Sequence, residues 1–334
     1  MLILYPCFAR RINIYSEKSQ SLPRLLCMGL FCGFCFGHRV RRRFDANPVP
    51  GHDRLPLRVT AEELLRMLRP LFAAAVLVTL AGGSAQAARC GGDFNSFVAS
   101  MSAEAQAAGV SAGVTSAAFS GITQDGAVLA FDRRQRYTFN KTFEQYVSTR
   151  VGAGRINGGR ALLQRHAALL SRIEQQFGVP REILVAIWGL ESDFGKGDMG
   201  KLPVIRTLTT LAHDCRRTEL FQGELLAALK IVQRGDLPLR DLIGAYAGEI
   251  GQTQFLPSSY IKYGVDFDGD GHVDLRHSVA DVLASTANLL HSNGFKMGQP
   301  YDEGSANFEA MREWNRAVIY RKTIGYFADR LMGQ

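Results

Sequence analysis

The stretch that most restricts how this chain folds runs from Val179 to Gly195, with the sequence VPREILVAIWGLESDFG. Pro180 suits the first turn of a helix, where its missing N–H costs nothing, and Gly195 is a natural stop. Between them Ile183, Leu184 and Ile187 recur at i, i+1 and i+4, and Glu191 falls on the same stripe one turn further on. The pattern points a carboxylate inward. Burial in apolar surroundings and the negative end of the helix both disfavour its ionised form, so the expectation is a carboxyl that holds its proton near neutral pH. That is the property a general acid needs in order to break a glycosidic bond. Taken alone, the stripe favours a plainer reading, a helix-end Glu paired with an Arg.

A leader precedes the rest of the chain. Met67-Leu68-Arg69-Pro70 is a basic start, Leu71 to Leu80 an apolar run, and Ala85-Gln86-Ala87 a small-x-small cleavage site, which together read as a secretory signal peptide over 67–87, cut after Ala87. Residues 1–66 lie upstream of it with Arg39 and Arg41 to Arg43, four cysteines (Cys7, Cys27, Cys32, Cys35) and no amphipathic period. The expectation is that translation begins at Met67. The alternative is a genuine extension with a membrane-touching region around Leu25 to Phe36, too short and interrupted to span a bilayer.

The leader also changes what the charge means. The chain carries 39 Lys and Arg against 31 Asp and Glu, a formal +8. Twelve of those bases and five of those acids precede residue 88. The remainder is close to neutral, which removes the main support for a nucleic-acid-binding surface. Two cysteines stay in the exported part, Cys90 and Cys215, and an oxidising compartment suggests that they form a disulfide. Two unpaired thiols are the alternative. A lipid anchor on Cys90 would want a small residue where Arg89 stands, so the reading is a soluble periplasmic form with no stable membrane span.

Along residues 88–334 the pattern is mainly α (α+β), with short strands. Phe94, Phe97, Val98 and Met101 space as a helix that runs to Gly109, and Val114 to Phe119 as a second short one. Val128 to Phe131 reads as a short extended piece, and Phe143, Tyr146 and Val147 mark a further helix after a turn at Asn140. Leu162, Leu163, His166, Leu169, Leu170, Ile173 and Phe177 form a single stripe ending at Gly178. His166 is a core or groove-edge histidine without a second ligand at metal spacing. Leu220 to Val232 gives another helix, closed by Gly235.

Asp266-Phe267-Asp268-Gly269-Asp270-Gly271-His272-Val273-Asp274 matches the first nine positions of an EF-hand loop over 266–277, with Gly at the sixth place and the His272 carbonyl at the seventh. The twelfth position is His277 in place of a bidentate Glu, and Asp281 is placed to supply the missing oxygen. Four acids within nine residues repel one another unless a cation sits among them. The expectation is a structural Ca²⁺ site, or a weaker Na⁺ one, with ligands Asp266, Asp268, Asp270, His272, Asp274 and Asp281. An Asp-Gly turn without an ion is the alternative.

Ile187 to Gly195 is followed at a distance by Ala247-Gly248-Glu249-Ile250-Gly251-Gln252-Thr253-Gln254-Phe255-Leu256-Pro257-Ser258-Ser259-Tyr260, then by the acidic loop and Ala284 to Asn288. In this order and at these separations the segments resemble the lytic murein transglycosylase B family (glycoside hydrolase family 103), from about Cys90 to the C-terminus. The resemblance implies a lysozyme-like fold with a cleft carrying a single Glu. It also implies non-hydrolytic cleavage of the MurNAc-GlcNAc β-1,4 linkage of peptidoglycan to 1,6-anhydromuropeptides, with no cofactor for catalysis. Glu191 matches the family acid/base, Ser192 follows it in the same Glu-Ser pair, and Gln254 matches the cleft-lining glutamine.

Gln252, Tyr246 and Tyr263 on or near the same loop, and Asn315 and Tyr320 after Trp314, complete the expected substrate contacts, with Tyr326 as core. A helix cap is the alternative for Asn315. Two departures stand out. Ala245 replaces a hydroxyl-bearing residue, and Glu249 replaces a small one, either as a solvated loop charge or as a second catalytic carboxylate. Peptidoglycan glycan strands are the implied partner, together with other cell-wall enzymes. A peptidoglycan-binding scaffold without turnover, and a hydrolytic muramidase using Asp193 or Glu249, are the competing functions.

Overall fold

The computed structural model describes residues 88–134 and 142–334. The upstream segment 1–66 and the signal peptide expected over 67–87 lie outside the described residues, as does the turn at Asn140. Capping chemistry explains where the first helices begin. Asp93 accepts the Ser96 N–H at the start of α1 (Phe94–Ala107), and Ser111 accepts that of Val114 at the start of α2 (Ala112–Phe119). Each cap satisfies an N–H that a helix start would leave without a partner.

Val128 to Phe131, expected to be extended, belongs to a helix, α3 (Gly126–Arg134). The Asp125 carboxylate accepts the N–H groups of Ala127 and Val128, and Val128 and Asp132 are buried one turn apart. An N-terminal cap and an i, i+4 buried pair outweigh the weak strand preference of one valine. Next comes α4 (Phe143–Arg150), opened by a reciprocal capping box between Thr142 and Gln145.

The single stripe from Leu162 to Phe177 divides into α5 (Ala153–Arg165) and α6 (Ala167–Phe177), with His166 at φ −103° and ψ 22° between them. The periodicity survives the break because the Leu170 N–H still reaches the His166 carbonyl. Gly178, at φ 62°, closes α6 in the left-handed region that glycine tolerates.

Helix α7 (Arg181–Ser192) starts one residue later than its proline suggests, since Pro180 is the N-cap. Its burial also differs from the expected stripe: every residue from Ile183 to Ser192 is buried. Helices α5 and α6 pack against it, as do α11 (Val279–Ser292) and α13 (Val318–Met332). A helix surrounded on all sides is apolar on all sides. At Gly189 a Cβ would come within 2.8 Å of the rings of Phe194 and Phe327, so only glycine lets those rings approach.

A two-stranded antiparallel ribbon, β1 (Leu202–Pro203) with β2 (Ile243–Gly244), links two later parts of the chain. Between the strands run α8 (Val204–His213) and α9 (Thr218–Arg234), which pack on each other. After β2 come α10 (Pro257–Tyr263), α11, α12 (Ala306–Ala310) and α13. Cys90 and Cys215 are disulfide-bonded with Cα atoms 5.1 Å apart and a sequence separation of 125, tying the start of the described chain to the α8–α9 turn. Closing a loop of that length is worth about 4–5 kcal/mol in the chain-entropy account. Tyr326, expected in the core, is instead on the surface and meets Phe143 edge-on. Among the described residues no helix is long and apolar enough to cross a membrane.

Candidate active site

Glu191 sits in the last turn of α7 and is 3% exposed. Its Oε1 accepts two hydrogen bonds, from the Trp314 Nε1–H at 3.0 Å and the Tyr320 hydroxyl at 2.7 Å. Both donors come from the far end of the chain, Tyr320 from the first turn of α13 and Trp314 from the segment before it. The last turn of α7 contains no basic residue, so that turn itself does nothing to offset the negative end of the helix at this carboxyl. Two neutral donors from rigid aromatic side chains hold the group in one orientation, as a proton donor to a bound substrate requires. Phe255 meets Trp314 edge-on at 5.4 Å and brings the downstream loop against the same site.

Beyond Glu191 the backbone turns in a way that few residues tolerate. Asp193 and Phe194 have φ of 50° and 62°, and Gln254 has φ of 55°; among the described residues these are the non-glycine positions with positive φ. Each costs on the order of 1 kcal/mol or more and persists only where its surroundings demand it. Two of them end the helix that carries Glu191, and the third lies on the loop that faces it. The Asp193 N–H bonds to the Gly189 carbonyl, and the Phe194 N–H to that of Trp188, so the helix stops at Ser192 without using Gly195. The Asp193 side chain, the other carboxylate weighed for hydrolysis, is partly exposed and pairs with Arg155 at 3.0 Å.

Several expected substrate contacts also make bonds within the protein. Ser192 is fully buried and accepts the Gly195 N–H at 2.9 Å. Gln252 accepts the Trp188 Nε1–H at 2.8 Å and donates to the Arg276 carbonyl at 2.8 Å, which ties the loop to the middle of α7. The Gln254 amide donates to the carbonyls of Gly251 and Met199. Asn315 is buried and accepts the Ala317 N–H at 3.0 Å, a local turn just before α13, whose N-cap is Ala317 and which has no side-chain cap bond. The Tyr263 hydroxyl accepts from Asn293 at the end of α11. A loop made of backbone turns leaves polar groups that need partners, and nearby amides are what satisfy them.

Tyr246 is 38% exposed and stacks flat on Phe131 of α3, with ring centroids 3.8 Å apart. Glu249, read as a solvated charge, is 1% exposed. It lies in the turn between β2 and Ile250, where its carboxylate accepts the Ala247 N–H. His166 is half-buried beside Trp188, with burial pushing its imidazole pKa down. The aromatic partners of Glu191 and Tyr246 were hard to anticipate. Trp314 was visible only as part of a late aromatic segment, and Phe131 was assigned to a strand.

In the acidic loop Asp266, Asp268 and Asp270 each offer a carboxylate oxygen, and these oxygens lie within 4.8 Å of one another. Asp266 also accepts the N–H groups of Gly269 and Gly271, both at positive φ, which is the sharp turn that the glycines permit. The other expected ligands serve differently. Asp274 pairs with His277 and accepts its N–H, while both oxygens of the buried Asp281 accept N–H groups, from Phe267 and Asp274. Burial pushes the Asp281 carboxyl up from its ordinary value, against those two bonds. Three converging carboxylates fit a hard, oxygen-seeking cation. A separate cavity of about 350 Å³, lined in part by Ile122, Pro203, Ile205, Arg206, Leu239 and Leu242, includes none of the residues around Glu191.

Comparison with known proteins places the chain in a family. The chain is 37% identical over 161 residues to membrane-bound lytic murein transglycosylase B of Escherichia coli strain K12, across 48% of this chain and 44% of that protein. It thus spans less than half the length of that curated relative. Its fold superposes on SltB3 of Pseudomonas aeruginosa, solved in complex with NAG-anhNAM-pentapeptide, with a TM-score of 0.69 and 32% identity over 73% of this chain and 80% of the other. The Escherichia coli lytic transglycosylase Slt35 in complex with calcium shares the fold, with a TM-score of 0.63 and 24% identity over 75% of this chain and 98% of that one. The sequence family described as Transglycosylase SLT domain matches residues 93–304, well over half the chain, and the protein therefore belongs to that family.

Proposed function

We propose that this protein is a periplasmic lytic transglycosylase that cleaves the MurNAc-GlcNAc linkage of peptidoglycan glycan strands without water. The observation that carries this reading is the buried Glu191 carboxyl, held at Oε1 by Trp314 and Tyr320. In the first step Glu191 gives its proton to the glycosidic oxygen, and the bond from that oxygen to the muramic C1 breaks. The carboxylate so formed then takes the proton of the muramic 6-hydroxyl, and O6 closes on C1 to give the 1,6-anhydro ring. One carboxyl serves as acid and then as base, and its proton inventory is restored at the end of the cycle.

Hydrolysis would need a second carboxylate to activate water. Asp193 is paired with Arg155, and Glu249 accepts an N–H of its own turn, which favours the single-carboxyl route. The NAG-anhNAM-pentapeptide bound to SltB3 has the kind of end that this route produces. Gln254 and Tyr246 remain substrate contacts in this reading. A Ca²⁺ held by Asp266, Asp268 and Asp270 stiffens the loop that precedes α11 and takes no part in the chemistry, as the convergence of the three carboxylates supports. The disulfide agrees with an exported, oxidising setting.

Digestion of purified sacculi followed by mass analysis tests the reading. Anhydro-ended fragments are expected. Reducing-ended fragments would establish a muramidase, and the absence of soluble fragments a binding scaffold.

A further inference from the structure

Phe131 and Tyr246 lie flat on one another, with ring centroids 3.8 Å apart and an interplanar angle of 15°. Offset stacking and edge-to-face contact are both favoured between aromatic rings. Here a tyrosine on a surface loop rests on a half-buried phenylalanine from another element, and 38% of the tyrosine stays exposed. The stack holds the covered face of the tyrosine and leaves the rest of it open to solvent.

The two ends are locked by charge and by backbone. The N–H groups on either side of Tyr246, those of Ala245 and Ala247, both donate to Glu249, the first to its carbonyl and the second to its carboxylate, each at 2.9 Å. Gly248, at φ 83°, makes the tight turn between them. The charge of Glu249 also acts on the Arg217 guanidinium, which burial alone would push down. Arg217 in turn hydrogen-bonds to Asp132, the residue after Phe131, and Arg216 pairs with the same carboxylate at 2.9 Å. Asp132 thus fixes α3 from below while Glu249 fixes the loop. The opposite end of that loop is bonded through Gln252 to Trp188, one turn before Glu191.

We propose that the Phe131–Tyr246 stack is a pyranose-binding platform, a sugar subsite built jointly by α3 and the turn after β2, with Glu249 as its positioning residue. This rests on the glycan-strand reading of the Glu191 site. A pyranose presents a flat patch of C–H groups that matches an open aromatic face, and the tyrosine hydroxyl lies in the ring plane, within reach of sugar hydroxyls. A peptide carboxylate is the poorer occupant, since both neighbouring guanidinium groups are already paired with carboxylates.

The test uses the full-length oxidised protein and two substrates, glycan strands stripped of their peptide stems and strands that retain them. Phe131→Leu and Tyr246→Leu are each expected to raise KM about tenfold on both substrates, with kcat within about twofold, the scale on which losing an aromatic anchor weakens binding. Phe131→Tyr, which keeps a flat ring, is expected to restore KM to near the wild-type value. Glu249→Gln is expected to raise KM several-fold and to leave the pH profile of kcat in place. Because Tyr246 lies on the surface, its variant carries the test should Phe131→Leu fail to fold. Unchanged KM in Tyr246→Leu overturns the platform while the function of Glu191 stands, as does a rise confined to stem-bearing strands. Wild-type protein that releases no fragments from either substrate overturns both.

Discussion

The end of α7 and the acidic loop at 266–277 both gather carboxylates, and they treat the charge in opposite ways. At the helix end Glu191 is buried, and two neutral aromatic donors, Trp314 and Tyr320, meet on its Oε1. In the loop three partly or fully exposed aspartates crowd together, and backbone N–H groups turn them toward one point. The first arrangement suits a proton that is given and taken back, because neutral donors orient the carboxyl without fixing its charge. The second suits a metal ion, because repulsion among the aspartates is relieved only when a positive charge arrives. The partners around a carboxyl, more than its residue type, decide its task.

Substitutions that exchange these environments test the contrast, and the largest effect belongs to Glu191. Glu191→Gln keeps the shape and the two hydrogen bonds to Oε1 but has no proton to give. Release of soluble fragments from sacculi should fall by at least about a thousandfold, while circular dichroism and the melting temperature stay near wild type. Activity within tenfold of wild type would remove Glu191 from the chemistry. Tyr320→Phe removes one donor and should lower kcat by about ten- to a hundredfold with KM little changed, since an orienting contact matters most at the transition state. A rise in KM alone would make Tyr320 a binding residue.

Smaller effects are expected in the loop. Millimolar Ca²⁺ should raise the thermal midpoint by roughly 5 °C, the gain from saturating a site at about a hundred times its Kd. The paired variant Asp266→Asn and Asp268→Asn should abolish that response and leave turnover of Ca²⁺-free protein unchanged. An unresponsive wild type would make the loop a plain turn.

The smallest effect is at the opposite end of α7, in its first turn. Burial, followed by repulsion from Glu174 and Asp329, pushes the Glu182 carboxyl up from its ordinary 4.5. A carboxyl with a raised folded pKa stabilises the fold below its unfolded pKa and loses that contribution as pH climbs through the folded value. Glu182→Gln should therefore gain a degree or two of melting temperature at neutral pH, roughly the effect of a fraction of a kcal/mol, and lose that advantage near pH 4. Equal midpoints at both values would show that the first turn of the helix is not strained by charge.

Much of this was legible before any folding was considered. The caps at Asp93 and Ser111, the stops at Gly178 and Gly235 and the crowding of aspartates from Asp266 are written within a few consecutive residues, and each depends on local backbone geometry. The inward Glu191 was legible too, as was the resemblance of the segments around it. The strand expected at Val128 failed because the Asp125 cap and the packing of α3 on α8 settled that segment. The internal bonds of Gln252 and Ser192 were out of reach of the sequence for a related reason. A motif specifies which residues stand near a site, but the unsatisfied N–H and carbonyl groups of the folded loop determine what their side chains bond to.

By itself the sequence determined several of the helices, the acidic turn, the family resemblance and the identity of one candidate acid, because these depend on neighbours a few residues apart. Only the tertiary structure decided that Trp314 and Tyr320 meet on one oxygen of Glu191, that Glu249 is interior, and that Phe131 supports Tyr246. Those contacts join segments far apart in the chain, and their energies depend on burial and on which polar groups the closed fold leaves in need of a partner.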